Sequence, residues 1–202
     1  MFFYKQEENA VFEGWDFSRL DSRWIMEPLP WEYKDVVKAN LDAKDVLLDL
    51  GTGDGEYLKQ FRHPYALTHV TEGYVPNYEL CLKTLKPLGI DVQFSDDDVL
   101  PFEDDFFDVI VNRHESFNLE EVYRVLKSGG LFIMQQVGSD NSKQLSERIL
   151  DKALIVDENN RLSHTLEKAE AIGFKCIQAN EHHASLKFFD VGAVVYYAKI
   201  IK

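Results

Sequence analysis

Short apolar runs and helix-like segments alternate without a break from residue 45 to residue 137. "DVLLDL" (45–50) is an apolar run flanked by charge, the pattern of a strand covered on both faces. "DGEYLKQF" (54–61) follows, with Tyr57, Leu58 and Phe61 at helical spacing. "ALTHVTE" (66–72) alternates as a second strand, and "PNYELCLKTLKPLG" (76–89) opens on Pro76 and stops at Gly89, a helix with both of its punctuation marks. A third strand over "IDVQFSD" (90–96), a fourth over "FFDVIVNR" (106–113), a helix over "LEEVYRVLKSGG" (119–130) ended by its two glycines, and a fifth strand over "LFIMQQV" (131–137) complete the series. Strands separated by helices of this length join through parallel crossovers. The expected fold is therefore α/β: an open, mostly parallel sheet with helices on both faces, which takes its ligand beyond the carboxyl ends of the strands.

Outside that series the pattern is weaker. The aromatic leader (11–41) carries Trp15, Phe17, Trp24, Trp31 and Tyr33, read as packing for an N-terminal helix and loop against the sheet edge, with Trp15 and Phe17 as candidates for a lid. "SKQLSERILDKAL" (142–154) and "SHTLEKAEAIG" (163–173) read as helices and "FKCIQANEHH" (174–183) as a sixth strand. "FFDVGAVVYYAKIIK" (188–202) stays open between strand and helix, since Val194, Val195, Tyr196 and Tyr197 favour one and the Ala and Lys residues permit the other. A chain of 202 residues has the length of one domain (1–202), here divided into the leader (1–44), a ligand-binding core (45–138) and a C-terminal half of the sheet on the substrate side (139–202).

Charge and cysteine usage narrow the partners. Thirty-five Asp and Glu against 22 Lys and Arg leave a net charge of −13, which repels phosphate backbones and anionic membranes and favours a small-molecule partner. Cys81 and Cys176 have no metal-ligand spacing and are expected to be buried and reduced. No metal site is expected, and Asp98 beside Asp96 and Asp97 reads as solvated charge. No segment reaches the ~18 uninterrupted apolar residues of a membrane span, and the start lacks the apolar core of a signal peptide, so a cytoplasmic location is expected.

The ligand site is expected at "DLGTGDGEYL" (49–58). A dinucleotide turn wants glycine where this chain has Glu56, and a phosphate-cradling loop wants a Gly-Lys-Ser/Thr ending that is missing. What the turn offers is Asp49 at the strand tip, suited to an ammonium, then Gly51, Gly53 and Gly55, which let the backbone come close to a ligand, then first-turn amides suited to a carboxylate. Glu72 ends the second strand 21 positions after Gly51, close to the spacing at which an acid reaches ribose hydroxyls. Asp96 could accept from an exocyclic amine while the Asp97 amide donates to a ring nitrogen, the edge that adenine presents. The ligand implied is an amino acid joined to a nucleoside.

"VLLDLGTGDGEYL", "HVTEGYVPN", "DDDVLPFEDDFFDVIVNRHE" and "EEVYRVLKSGGLFIMQQV" resemble, in order over about residues 45–138, the successive motifs of class I S-adenosylmethionine-dependent methyltransferases of the type 11 group, whose fold is Rossmann-like. The flanks resemble a bacterial branch of that group whose substrates are unassigned. The resemblance implies S-adenosyl-L-methionine as cofactor and S-adenosyl-L-homocysteine as product. It implies cofactor contacts at Asp49, Gly51, Thr52, Gly53, Gly55, Glu72, Gly73, Tyr74, Asp96, Asp97, Asn112 and Arg113, with Tyr74 stacking on adenine or packing in the core. His114 and Glu115 would face the substrate with the lid residues Trp15 and Phe17, and His114 is the candidate proton acceptor, a role held level with a purely structural one. In that branch the chain runs on past the "YYAKII" stretch, whereas this sequence stops at Lys202, so the usual seventh, antiparallel strand of the sheet is in doubt. Methyl transfer to a small molecule is the leading expectation; RNA base methylation and cofactor binding without catalysis are the alternatives, and oligomeric state stays open.

Overall fold

The computed structural model describes residues 5–10, 17–95, 99–150 and 160–200. In chain order its strands are β1 (Trp24–Met26), β2 (Leu47–Leu50), β3 (Thr68–Glu72), β4 (Asp91–Phe94), β5 (Phe107–Arg113), β6 (Leu126–Gln135) and β7 (Leu186–Phe188). The α-helices are α1 (Lys5–Glu8), α2 (Tyr33–Ala39), α3 (Glu56–Lys59), α4 (Val75–Thr84), α5 (Leu119–Val125), α6 (Lys143–Leu150), α7 (Leu162–Ile172) and α8 (Val191–Ile200). They fall into two compact units, Trp31–Asn180 and Met1–Pro30 with Glu181–Lys202.

The larger unit holds a five-stranded sheet in the order β4-β3-β2-β5-β6, and every neighbouring pair in it is parallel. The chain enters in the middle at β2, builds outward through β3 and β4, then crosses back to lay β5 against the other side of β2. That reversal opens a crevice between the carboxyl ends of β2 and β5, where ligands bind in sheets of this kind. Strand alternation explains the two cores. Leu47, Val70, Val92, Val109 and Val111 pack on one face with Tyr33, Val37, Leu58, Cys81 and Leu85. Leu48, Leu50, Phe107 and Ile110 pack on the other with Val122, Val125 and Leu126. With both faces covered, β2 is buried at all four residues, as its unbroken apolar run requires.

Three expectations need correction. The helix expected to end at Gly129 and Gly130 ends at Val125, because the carbonyls of Arg124 and Val125 receive the amides of Asp105 and Phe106 at the entry to β5. The glycines instead carry an irregular stretch of β6, where the pairing jumps from Phe107↔Leu126 to Val109↔Leu131 and Gly129 takes φ +79°. No strand forms over 174–183: Phe174 is held edge-on by Tyr123 at 5.1 Å, but Ile177 is 81% exposed and the run beyond it has too little apolar surface to bury. Cys176 is exposed rather than buried, while Cys81 is buried, and both are free thiols.

The smaller unit is built from the two ends of the sequence. β1 and β7 pair antiparallel, Trp24 opposite Phe188, and the ring of Trp24 meets Phe17 at 5.7 Å, Phe188 at 6.2 Å and Tyr197 at 5.7 Å. Arg23 donates to Asp190 at 2.7 Å and to Glu7 at 3.1 Å, tying β1 to α1 and to the start of α8. The stretch left open between strand and helix is the helix α8, whose Tyr196 and Tyr197 are buried. No described helix is long and apolar enough to cross a membrane.

Candidate functional site at the switch point

Asp49 is the third residue of β2, paired with Val70 on one side and Val111 on the other, and only 9% of it is exposed. Burial, with the charge of Glu72 adding and that of Arg113 opposing, raises its pKa to about 7. The carboxyl thus titrates near neutrality and is poised to ionise when a cation arrives.

The turn that follows is left-handed at Gly51 (φ +67°), Gly53 (φ +63°) and Gly55 (φ +77°), a conformation natural to glycine and costly for residues with a Cβ. The three have different surroundings. A Cβ on Gly51 would fall 2.2 Å from Cγ of Glu115, and one on Gly55 would fall 2.7 Å from Cδ1 of Leu85, whereas one on Gly53 would meet nothing within 4 Å. Gly51 therefore makes room for the Glu115 side chain, Gly55 lets the turn sit on the core, and Gly53 presents bare backbone to open space.

Glu72, at the end of β3 and 3% exposed, joins two turns. Its carboxylate accepts from the amide of Gly53 and from the amide of Tyr74, each at 2.8 Å. Burial raises its pKa, opposed by these two bonds, while the charge of Glu115 raises it further. Each carboxylate oxygen keeps capacity for another donor, so the clasp and a ribose contact are compatible. The Cys81 thiol donates to the Gly53 carbonyl at 3.1 Å and the Thr52 amide to the Thr71 carbonyl at 3.1 Å, completing the support of the turn. Gly73 and Tyr74 are exposed, Tyr74 at 65%, which sets aside the core-packing reading for Tyr74.

On the far side of the crevice, Asn112 is fully buried at the end of β5. Its Oδ1 accepts from Gln136 Nε2 at 2.6 Å, and the same Gln136 nitrogen donates to the Glu115 carbonyl at 2.7 Å. Asn112 Nδ2 has no hydrogen-bond partner among the described residues. A buried amide donor left in this state is costly unless a ligand acceptor completes it, and an amino-acid-bearing nucleoside has several acceptors. Arg113 follows, its guanidinium 4.2 Å above the ring of Tyr57.

His114 takes φ +66° and anchors its amide on the Gln135 carbonyl at 3.0 Å. Desolvation of its ring by the surrounding chain, with the charge of Arg113 adding, pushes its pKa down to about 4, although the residue as a whole is exposed. The ring is neutral at physiological pH, free to accept or donate one hydrogen bond but weak as a base.

The structure brings Asp49, the glycine turn, Thr52, Glu72, Asn112, Arg113, His114 and Glu115 to the carboxyl ends of β2, β3 and β5. Asp96, Asp97 and Trp15 lie outside the described residues. Phe17 lies in the smaller unit, stacked on Trp24. Sequence reasoning missed the wall behind Arg113. The Tyr33 hydroxyl donates to the carbonyls of Asn112 (3.1 Å) and Ile133 (2.9 Å) and accepts from the amide of Asn112 (3.1 Å). Tyr57 stacks on Tyr33 with centroids 6.3 Å apart, and Trp31 Nε1 donates to Gln135 Oε1 at 2.9 Å. The available signal was the pair Gln135 and Gln136, polar residues closing an otherwise apolar strand.

A glycine turn and two acids thus gather at the switch point of an all-parallel sheet, the place where sheets of this kind take their ligands. Residues 48–134 match the family described as a methyltransferase domain. The phthiotriol/phenolphthiotriol dimycocerosates methyltransferase of Mycobacterium tuberculosis is 28% identical over 158 residues, 66% of this chain and 58% of that one. The ubiquinone/menaquinone biosynthesis C-methyltransferase UbiE of Desulfotalea psychrophila is 33% identical over 109 residues, 50% of this chain and 44% of that one. The chain thus spans 58% and 44% of these two curated relatives, less than two thirds of either. Among solved structures, a S-adenosylmethionine-dependent methyltransferase of Thermotoga maritima superposes with a TM-score of 0.52 at 18% identity, covering 71% of this chain and 70% of that one. The methyltransferase-domain match covers less than half of the chain, and the likeness to the solved structure shows that the fold is shared.

Proposed function

We propose that the protein moves the methyl group of S-adenosylmethionine to a small-molecule acceptor. The observation that carries this reading is the convergence, at one switch point, of Asp49, the bare backbone of Gly53, the clasped carboxylate of Glu72 and the unpartnered Nδ2 of Asn112. Two small-molecule methyltransferases among its relatives and a net charge of −13 favour a small acceptor over a nucleic acid, and with no described helix able to span a membrane we place it in the cytoplasm.

The cofactor supplies a methyl carbon already activated by a sulfonium leaving group. What is left to the protein is alignment and exclusion of water, and holding reactants in line can contribute ~7 to 11 kcal/mol. Asp49, once ionised, holds the ammonium end, Glu72 the ribose, and Asn112 donates to a cofactor oxygen. Asp96 and Asp97 take the adenine edge. His114, neutral and fixed on Gln135, orients the acceptor by a hydrogen bond more readily than it removes a proton. Glu115 lines the acceptor side.

The test is a metabolite extract incubated with protein and methyl-labelled S-adenosylmethionine, read by mass spectrometry. One labelled small molecule that disappears with Asp49→Ala is the expected result. Label in RNA, or in nothing, sinks the reading.

A further inference from the structure

The geometry points to Arg113 as the anion-recognition residue of this site: its guanidinium takes an ionised carboxylate, through the N–H edge left free above Tyr57. The inference rests on the cofactor reading just given and adds to it the charge of one ligand group.

The guanidinium lies on a braced platform. Its centre is 4.2 Å from the Tyr57 ring centroid; Tyr57 donates its hydroxyl to Glu32 at 3.1 Å, stacks on Tyr33 and meets Phe61 edge-on at 5.9 Å. Tyr33 is in turn bonded to the backbone of β5 and β6. A guanidinium stacked in this way keeps its donor edge available and loses little further freedom when it binds, which is the arrangement that suits planar carboxylates.

That edge has no partner among the described residues. Arg23 and Arg124 commit their guanidinium groups to carboxylates, at 2.7 Å to Asp190 and 2.6 Å to Glu121. Arg113 has neither an ion pair nor a hydrogen-bond acceptor for its guanidinium among the described residues. Arg113 is thus a cation without a carboxylate partner among the described residues, held on an aromatic platform. It stands at the last residue of β5, on the rim opposite Glu72, so the crevice has a positive pole at Arg113 and a negative one at Asp49, Glu72 and Glu115. The carboxylate could be that of the cofactor's amino-acid end or one carried by the methyl acceptor, and the chemistry of recognition is the same.

Calorimetry on the full chain separates the two. Wild type, Arg113→Met and Arg113→Lys are titrated with S-adenosylhomocysteine and with 5′-methylthioadenosine, the same nucleoside thioether without the amino-acid end. Protein saturated with S-adenosylhomocysteine is then titrated with 4-hydroxybenzoate and with its methyl ester. The expected result is that Arg113→Met weakens one carboxylate-bearing probe by about tenfold or more, the loss of one charge-assisted bond, and leaves its uncharged counterpart unchanged, with Arg113→Lys between. A loss confined to S-adenosylhomocysteine assigns the cofactor carboxylate; a loss confined to 4-hydroxybenzoate assigns the acceptor. The inference is overturned if Arg113→Met binds all four probes as wild type does, or loses both members of a pair equally, which marks a collapsed platform. Either leaves the cofactor reading standing. Wild type that binds neither thioether overturns that reading and this inference with it.

Discussion

At the scale of single residues, the three turn glycines are not equivalent. Gly53→Ala meets only the left-handed backbone penalty, about 1 to 2 kcal/mol. Gly51→Ala adds a collision with Cβ and Cγ of Glu115, so its urea midpoint should fall further, and Gly51→Ala with Glu115→Gly, which removes both atoms, should recover the difference, a coupling readable in a double-mutant cycle. Asp49 gives a pH signature. Its folded pKa of about 7 stands above the unfolded value near 4, so across that window the folded chain holds the extra proton. Its contribution to stability is full below about pH 4, declines as pH rises, and is level above about 7. Affinity for a cationic cofactor runs the other way, rising with pH toward 7 and then flat, because the ionised carboxyl is the binding form. Asp49→Asn should flatten both curves; a rise in affinity that survives the substitution would assign it to another group.

At the scale of elements, the crevice is held open by side chains that reach between them. Tyr33, from α2, caps backbone groups of β5 and β6, so Tyr33→Phe leaves buried carbonyls short of a donor and should cost about 1 to 3 kcal/mol. Hydrogen exchange at the Asn112 amide should accelerate with it, while exchange in β3 should not. This bond was not legible in the sequence, where Tyr33 was one aromatic among several; periodicity gives a residue's face but not the distant backbone its hydroxyl meets. What was legible lay in local chemistry: "LLDL" must be buried on both faces, and Asp49, the glycines and Glu72 sit where strands end. The failures have equally local causes. Helix α5 stops before its glycines because β5 captures its last carbonyls, a long-range bond that outweighs a local stop signal. The run after Gly173 has strand-like residues but no edge on which to bury them.

At the scale of the molecule, the two ends of the chain, separated by more than 150 positions, build a small unit with its own aromatic cluster, a pairing no local pattern announces. If that cluster holds its own unit together, Trp24→Ala should abolish exchange protection in Trp24–Met26 and Leu186–Phe188 and leave Leu47–Leu50 and Phe107–Arg113 protected. Loss of protection throughout would show one cooperative body instead. The central claim, however, concerns the larger unit: that the turn after β2, with its acids, is a cradle for S-adenosylmethionine. It is tested most directly by titrating S-adenosylmethionine calorimetrically into wild type, Asp49→Ala and Glu72→Ala. The prediction is one-to-one binding by wild type and at least about a tenfold loss in each variant, the size expected when a buried charge-assisted contact is removed. Wild-type affinity in both variants would contradict it.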